Sequence, residues 1–458
     1  MEDKYELIED IFVIPDSSNR NILYAPLQGM ITVVNDAFAN KLYDFRERMR
    51  ENRETDSNFY SQLNEMGLLG KRQLRSFEQN IDDKVKNAMK PTHAIFLLSD
   101  YCNFRCKYCY ASPAAEKHRV FDRQMAMDIV KFVLDNTIEK NEKECVLSFH
   151  GGGEPMLQFD LIKKCVEFAK AYIHEKRCDD IEIKPMIVTN GYLSMEQIDW
   201  LAENMASIQV SFDGPEIIQN DQRPLTDGGG THDRVLKTIN RLIERKANHL
   251  LIKSTISQKH VEEMDQIAKY MCESIDIYRF HFGAVLDFGR APLTGYCEPD
   301  ADLFIKGALQ AQQIAAQYGK KIVVSLAQET FPNTRDEFCG LTSPNFSITL
   351  DGKVTACYEV MKVTDSRSDM YFYGKYNKLT RCFEFNTERI KKLVCLTTEN
   401  IDRCKNCFAK WQCAGDCQSR WFDSETGELI KGEDFRCRVN RALVLHKIKD
   451  VLLKAGTA

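Results

Sequence analysis

Six short apolar runs alternate with helical segments between residues 94 and 285. Amphipathic patterns such as 124–139 and 160–175 fill the intervals between the runs. Continuous apolar runs between helices are typical of parallel strands that are buried on both faces. The sequence therefore predicts an α/β domain of the partial (β/α)6 barrel type, with ligands at the carboxyl ends of its strands. The runs lie at 94–98, 145–149, 181–188, 208–212, 250–256 and 278–285.

Two further units flank this predicted barrel. Residues 1–90 contain strand-like runs followed by helical patterns at 36–50 and 58–69, and Pro91 ends that unit. After residue 328 the pattern becomes irregular, and a large share of the cysteines follows. The sequence thus predicts three domains, at 1–90, 91–328 and 329–458.

Positive and negative charges are nearly balanced, with 62 lysines and arginines against 67 aspartates and glutamates. No segment has the density of basic residues that binding to nucleic acid or to an anionic membrane requires. Residues 1–10 are acidic, and no apolar run is long enough to cross a bilayer. We therefore expect a cytoplasmic protein with no nucleic-acid or membrane partner. In that reducing compartment, 17 cysteines favour metal binding over disulfides.

A C-x3-C-x2-C loop, formed by Cys102, Cys106 and Cys109, follows the first apolar run. A closed zinc site needs four ligands, and so does a [4Fe–4S] cluster held by cysteines alone. Three closely spaced thiolates therefore predict a [4Fe–4S] cluster with one iron open to a small ligand. The alternatives are a zinc knuckle completed by a distant ligand, or three unrelated cysteines.

This loop resembles that of the radical S-adenosylmethionine enzymes, in which the open iron is chelated by the methionine amine and carboxylate. The Gly-Gly-Gly-Glu-Pro turn at 151–155 resembles the family's motif for the amine, and further polar residues follow later strands. An ordinary glycine turn and a surface arginine are the alternatives at these positions. The resemblance implies cofactor contacts from Tyr108, Gly152, Gly153, Glu154, Asn190, Ser211, Asp213 and Arg223.

The same resemblance implies a reaction. One electron from the reduced cluster cleaves S-adenosylmethionine to methionine and a 5′-deoxyadenosyl radical, which abstracts a hydrogen atom from the substrate. An external one-electron reductant such as flavodoxin or ferredoxin is then required. The protein contributes positioning and the exclusion of water.

Seven later cysteines match the order and spacing of the SPASM extension of this superfamily. The resemblance implies two auxiliary [4Fe–4S] clusters, which together with the cluster of the first loop make three. One auxiliary cluster is held by Cys404, Cys407, Cys413 and Cys437. The other auxiliary cluster takes Cys339, Cys357 and Cys417 and lacks a fourth ligand. Cys297, Cys382 or Cys395 are candidates for that place, or a substrate thiolate binds there. A zinc ribbon is the alternative.

Two features bear on the substrate. By resemblance, sulfatase maturases keep an aspartate that acts as a base at the position where this chain has Tyr358, followed by Glu359. Tyr358 and Glu359 are therefore only candidates for a proton-transfer residue. The sequence does not identify the catalytic residues. Residues 1–90 resemble the winged-helix-like peptide-recognition element of natural-product maturases. An exposed edge strand beside a helix can capture an extended peptide by strand addition. A capping or dimerisation domain is the alternative.

The sequence therefore predicts a radical maturase of a ribosomally made precursor peptide, whose leader binds at residues 1–90. The predicted product is a thioether or carbon–carbon crosslink, and epimerisation is a further alternative. A second enzymatic hypothesis is oxidation of a protein or small molecule, as in sulfatase maturation. The non-enzymatic hypothesis is an iron–sulfur electron carrier.

Overall fold

The structure, a computed structural model, describes residues 6–51, 53–70, 81–112, 119–340, 344–421 and 433–456. Residues 1–5 and 71–80 of the predicted first domain, and 341–343, 422–432 and 457–458 of the predicted third, lie outside the described residues. None of the helices in the described ranges has the length and apolar composition needed to cross a bilayer.

The six strands predicted between residues 94 and 285 are present, and further short strands follow them. The strands are β1 Glu6–Leu7, β2 Phe12–Ser17, β3 Arg20–Ala25, β4 Met30–Val34, β5 Leu69–Gly70, β6 His93–Leu97, β7 Glu144–His150, β8 Glu182–Thr189, β9 Ser207–Ser211, β10 Leu250–Ile256, β11 Arg279–Ala284, β12 Lys321–Val323, β13 Phe346–Ile348, β14 Lys353–Thr355, β15 Phe372–Asn377 and β16 Cys382–Phe385. The helices are α1 Asp36–Arg50, α2 Ser57–Glu65, α3 Ile81–Ala88, α4 Arg123–Glu139, α5 Phe159–Glu175, α6 Met195–Asn204, α7 Glu216–Gln222, α8 His232–Glu244, α9 Met264–Ser274, α10 Ala291–Thr294, α11 Ala301–Gln317, α12 Leu326–Thr330, α13 Ser368–Tyr371, α14 Thr387–Val394, α15 Lys410–Cys413 and α16 Phe435–Lys454.

One large sheet organises the described chain. Its strand order is β12-β11-β10-β9-β8-β7-β6-β13-β14-β15-β16, and every neighbouring pair from β12 to β13 is parallel. Helices cover one face of this parallel part, where Phe96, Phe149, Ile208 and Phe280 join a continuous apolar core. The prediction of an α/β fold built on parallel strands is confirmed.

The sheet is wider than the six predicted strands. β12 extends it beyond β11, and β13 pairs with β6 on the other side, followed by antiparallel β14, β15 and β16. β12 and β13 have only three residues each, too few for a periodic pattern to reveal. The sheet thus continues across the predicted domain boundary at residues 328/329.

The first unit is a three-stranded antiparallel sheet with an apolar core on each face. On one face, Leu23 packs with Leu42 of α1 and Phe59 of α2. On the other face, Ile22 packs with Ile448 of α16. Because successive side chains of a strand point to opposite faces, the buried strand β3 joins its own helices to the last helix of the chain. The unit is therefore fixed to the remainder of the protein.

Candidate functional site

The cysteine loop, residues 102–109, follows β6 and pairs with the segment after α7. Arg105 N donates to Pro224 O at 2.7 Å, and Lys107 N donates to Gln222 O at 2.9 Å. The three loop cysteines are half-buried. The loop is therefore held against the carboxyl edge of the sheet by backbone hydrogen bonds.

A second segment, which follows β11, supports the loop from another side. Arg290 donates from its backbone N to Cys109 O at 3.0 Å, and its guanidinium donates to Cys106 O at 2.9 Å. Gly289 has φ +66°, and a Cβ there would lie 2.5 Å from Cys109 O. The sequence patterns did not single out this Gly-Arg pair. The sequence feature that could have identified this pair is its position shortly after the apolar run at 278–285.

Asp221 is a further residue that the sequence patterns missed. Its carboxylate accepts from Lys107 Nζ of the cysteine loop at 2.6 Å, from Lys259 Nζ at 2.8 Å and from the Tyr296 hydroxyl. Burial alone would raise the pKa of Asp221, but the hydrogen bonds from Lys107 and Lys259 hold it well below its usual range. This ionised carboxylate fixes the loop through the lysine between its second and third cysteines.

The glycine turn packs directly on residues 99–101, which lead from β6 into the cysteine loop. A Cβ at Gly153 would lie 1.8 Å from Tyr101 O, and one at Gly152 would lie 2.8 Å from Ser99 O. Glu154 N also donates to Tyr101 O at 2.9 Å. We expected these glycines to let backbone approach a ligand, and in the structure they let two loops approach one another.

Glu154 joins the glycine turn to the end of β8. Its carboxylate accepts from Met156 N at 3.0 Å, from Thr189 Oγ1 at 2.7 Å and from Asn190 N at 2.7 Å. The Asn190 amide in turn lies 3.7 Å from Cys102 Sγ. Burial raises the pKa of Glu154 to about 7, against the opposing effect of these hydrogen bonds. Three predicted contact regions therefore meet at one point.

Asp213 is completely buried and makes four contacts with the protein. One oxygen accepts from the Tyr108 hydroxyl, from Gln222 Nε2 at 3.0 Å and from Arg223 Nε at 2.9 Å. The other accepts from Thr255 N at 2.9 Å. We predicted a cofactor contact from Asp213. In the structure its carboxylate instead holds Tyr108 and Arg223 in place.

The thiols of the loop lie in each other's electrostatic field. Burial raises the pKa of Cys106 to about 12, although the Arg223 cation opposes this rise. Burial, then Cys106, also raise the pKa of Cys102. The backbone N of Phe104 lies 3.4 Å from Cys102 Sγ. Cationic and N–H groups beside buried thiols suit the negative charge of a thiolate-bound cluster.

The side of β7 to β11 that the helices leave uncovered is called here the open face. Ser211 is half-buried on it at the end of β9, and His150 lies on it at the end of β7. The ring of Tyr358 lies 4.5 Å from the His150 ring and is 37% exposed. Two predicted site residues therefore border the open face.

Glu359 is engaged by residues next to the last cysteines. Its Oε2 accepts from Ser419 Oγ at 2.9 Å and from Arg420 at 2.7 Å. Burial, then Glu359, Cys417 and Cys339 raise the pKa of Cys357 well above its ordinary value. Cys339 and Cys417 of the predicted incomplete set therefore lie within electrostatic range of Cys357, and Glu359 lies near them as the ion-pair partner of Arg420.

The other four predicted ligands also converge. Burial raises the pKa of Cys413 well above its ordinary value, and Cys407, Cys437 and Cys404 contribute to that rise. Asp434 caps α16 and accepts from Cys437 N at 2.7 Å, which fixes Cys437 at the start of the helix. By contrast, Cys382 is exposed on β16, the outermost strand.

Phe288 connects the cysteine loop to the later cysteines. It lies two residues before Arg290, which holds the loop, and its ring lies 4.3 Å from the Arg367 guanidinium and 5.5 Å from that of Arg420. Arg367 also donates to Ser419 O at 3.0 Å. Phe288 and Arg367 therefore connect the two cysteine regions.

No three His, Cys, Asp or Glu side chains of the described residues lie close enough to hold one metal ion. A mononuclear zinc site places all its ligand atoms about 2 Å from one centre.

Residues 96–271 match the sequence profile of the Radical SAM superfamily. The chain is 22% identical over 370 residues to the radical SAM cyclopropyl synthase TigE of Paramaledivibacter caminithermalis, covering 77% of this chain and 73% of TigE. It is also 22% identical over 360 residues to the cysteine-type anaerobic sulfatase-maturating enzyme of Clostridium novyi, covering 74% and 91% of the two chains. The predicted resemblance to the radical S-adenosylmethionine enzymes is confirmed for residues 96–271.

Two solved structures share the fold. AnSMEcpe with bound AdoMet and the Cp18Cys peptide superposes with a TM-score of 0.63 at 19% identity, covering 79% of this chain and 99% of that one. Streptococcus suis SuiB bound to precursor peptide SuiA gives 0.50 at 15% identity, covering 94% and 99%.

Proposed function

Residues 96–271 form a radical SAM domain, and from this premise we propose that the chain is a maturase that modifies a ribosomally synthesised peptide. One observation carries the proposal. The cysteine loop, the glycine turn and the end of β8 meet at Glu154 and Asn190, at the carboxyl edge of a parallel sheet. That edge is where such sheets bind ligands.

The residues at this edge fit a [4Fe–4S] cluster and S-adenosylmethionine. Cys102, Cys106 and Cys109 offer three thiolates, and Arg223 and Arg290 place positive charge beside them. When bound, the reduced cluster and S-adenosylmethionine supply a 5′-deoxyadenosyl radical for hydrogen abstraction.

The chain's own residues keep this site ordered. Asp213 holds Arg223 and Tyr108 in fixed positions, with the Arg223 guanidinium carbon 5.1 Å from the centre of the Tyr108 ring. We assign Arg223 the binding of the methionine carboxylate. Asp213 accepts from Arg223 Nε and so occupies only part of the hydrogen-bonding capacity of the guanidinium group. Gly152, Asn190 and Ser211 complete the proposed contacts.

We assign residues 329–458 the role of a SPASM domain with two auxiliary [4Fe–4S] clusters. Cys404, Cys407, Cys413 and Cys437 form the complete ligand set. Cys339, Cys357 and Cys417 form the incomplete one, so a substrate thiolate or another ligand takes the fourth place. Glu359 and Arg420 form an ion pair beside this second set, which lowers the cost of burying the Glu359 carboxylate.

A cleft of about 760 Å³ supports peptide binding by the first unit. It runs beside β2, an edge strand of the sheet β2-β3-β4, and helix α1 forms part of its wall. An edge strand presents unpaired backbone N–H and C=O groups, which an extended peptide can pair with. We therefore assign this cleft to the leader segment, within a winged-helix-like unit spanning residues 1–90.

The test of the enzyme is anaerobic reduction of the reconstituted protein with S-adenosylmethionine. We expect 5′-deoxyadenosine, with dithionite or with flavodoxin or ferredoxin as the electron donor. Intact clusters without this product would support the electron-carrier alternative and refute the enzyme.

The test of the leader site is substitution inside the cleft. Met49→Trp places an indole in the cleft, whereas Met195→Trp adds one at an exposed site on α6. For candidate precursor peptides encoded beside the gene, we expect Met49→Trp to weaken binding about tenfold or more. Equal affinity of both variants would refute the assignment. Point substitution is preferable to deleting residues 1–90, which would expose Ile448 on α16.

The product class follows from the mass of the modified peptide. A thioether or carbon–carbon crosslink each lowers the mass by two hydrogens, and alkylation of free thiols separates the two. Epimerisation leaves the mass unchanged. Oxidation of a cysteine or serine in a sulfatase-type peptide would instead support the second enzymatic candidate, which the similarity to the Clostridium novyi enzyme favours.

A further inference from the structure

The open face carries one lysine in the centre of the sheet. Lys253 is the only exposed residue of β10, whereas its neighbours Ile252 and Ser254 are buried on the helix-covered side. In the strand register, Lys253 stands between Ser211 of β9 and His281 of β11. Within the described part of the chain, its Nζ has no hydrogen-bond or salt-bridge partner.

Two neutral histidines lie on the open face, His281 beside Lys253 on the adjacent strand β11 and His150 at the end of β7. His150 Nδ1 accepts from Gly151 N at 2.9 Å, which leaves the proton of a neutral ring on Nε2. His281 Nε2 faces Arg279 Nε at 3.1 Å, and since arginine only donates, the His281 proton is on Nδ1. Burial, with Lys253 among the other causes, lowers the pKa of both rings to about 4. Both rings are therefore neutral donors at pH 7.

The charges around Lys253 leave a positive potential. The protein around the open face lowers the pKa of Lys253 by desolvation, as do the cations Arg436 and Arg223, while Glu359 raises it. Glu359 already accepts from Arg420 and Ser419. Lys253 and His281, which are paired in the strand register, therefore offer donors to the open face, in a field that favours an added negative charge.

We propose that Lys253 and His281, which are paired on β10 and β11, form a binding site for a carboxylate of the substrate peptide. This inference rests on the proposed function and narrows its substrate class to peptides with an acidic group beside the reacting residue. A carboxylate accepts several hydrogen bonds at once and neutralises the ammonium group, which a neutral amide side chain does not do. The methionine carboxylate of S-adenosylmethionine has the same chemistry and is the other source to be distinguished.

The first experiment measures acetylation of lysines in the reconstituted full-length protein by mass spectrometry. The probes are N-acetylglutamate N-methylamide and its glutamine analogue, which differ only in the carboxylate. We expect the glutamate probe to slow acetylation of Lys253 at least about threefold, by occupying the site, and the glutamine probe to leave it unchanged. Lys237, an exposed lysine on α8, is the internal control and should react equally throughout.

The second experiment measures binding of the glutamate probe by calorimetry. Lys253→Met should weaken binding about tenfold or more, because a charge-assisted hydrogen bond is lost, whereas Lys253→Arg should retain most of the affinity. Lys237→Met should bind like the unaltered protein. Thermal unfolding of each variant shows that the fold is retained.

Three results would overturn the inference: equal effects of the two probes, no protection of Lys253, or protection by S-adenosylmethionine that excludes the glutamate probe. The last result would assign the site to the cofactor. Neither experiment requires turnover. Absence of 5′-deoxyadenosine would therefore refute the proposed function separately from the carboxylate site.

Discussion

Replacing Gly153 by alanine tests whether the glycine turn exists to support the cysteine loop. The added Cβ would lie 1.8 Å from Tyr101 O and 2.4 Å from Tyr101 C. Both are backbone atoms, so no side-chain rotation relieves the overlap. The turn must move away from the loop by about 1.5 Å to restore an ordinary carbon–oxygen contact.

The cost follows from two contributions. Overpacking of this kind typically costs about 1–3 kcal/mol. The displacement also lengthens the Glu154 N to Tyr101 O hydrogen bond, now 2.9 Å, which contributes about 1 kcal/mol. We therefore expect Gly153→Ala to destabilise the protein by about 2–4 kcal/mol. Gly70→Ala is the matched control, because its Cβ would meet only Ile8 Cγ2 at 3.5 Å.

The assays are urea unfolding and iron content after reconstitution. Gly70→Ala should keep the unfolding midpoint and about twelve irons per chain, the content of three [4Fe–4S] clusters. Gly153→Ala should lower the midpoint and retain about eight irons, because only the first cluster depends on this turn. An unaltered midpoint and iron content in Gly153→Ala would refute the argument that the missing Cβ holds the two loops together.

Three other perturbations test separate parts of the structure. Because the pKa of Asp221 is lower in the folded protein than in the unfolded chain, its carboxylate stabilises the fold above about pH 4. This contribution to the free energy of unfolding is lost as the pH falls towards the pKa of Asp221 in the folded protein. The difference in urea midpoint between the protein and Asp221→Asn should therefore be constant from pH 5 to 7 and shrink below about pH 4; a constant difference down to pH 2.5 would contradict this. Cys437→Ser should lower the iron content by about four, whereas the exposed Cys382→Ser should not, and equal losses would count against the ligand assignment. Phe288→Leu should lower stability by about 1–2 kcal/mol through loss of two cation–π contacts, and an unchanged unfolding midpoint would count against that connection.

Much of the site was predictable because close spacing along the chain places residues together regardless of the fold. Cys102, Cys106 and Cys109 occupy one loop, and a loop that follows a parallel strand lies at the ligand edge of the sheet. The same reasoning located Glu154 and Asn190 after the next two strands. What spacing did not predict was that Glu154 and Asn190 would contact one another.

Roles that depend on partners distant in sequence were beyond the sequence patterns. Asp213 follows a strand like a ligand-binding residue, yet its carboxylate is consumed by Tyr108, Arg223 and Thr255, which come from three other segments. The glycine turn likewise looked like a ligand cradle, until the position of Tyr101 showed what its missing side chains accommodate.

By itself, the sequence determined the α/β class, the parallel strands and the identity of the cysteine loop, because hydrophobic periodicity and ligand spacing are local properties of a chain. Tertiary structure alone decided that β13 joins β6 and that Lys253 stands between Ser211 and His281 on the open face. Those arrangements depend on strand order and register, which bring together side chains separated by tens to hundreds of residues and leave no trace in local pattern.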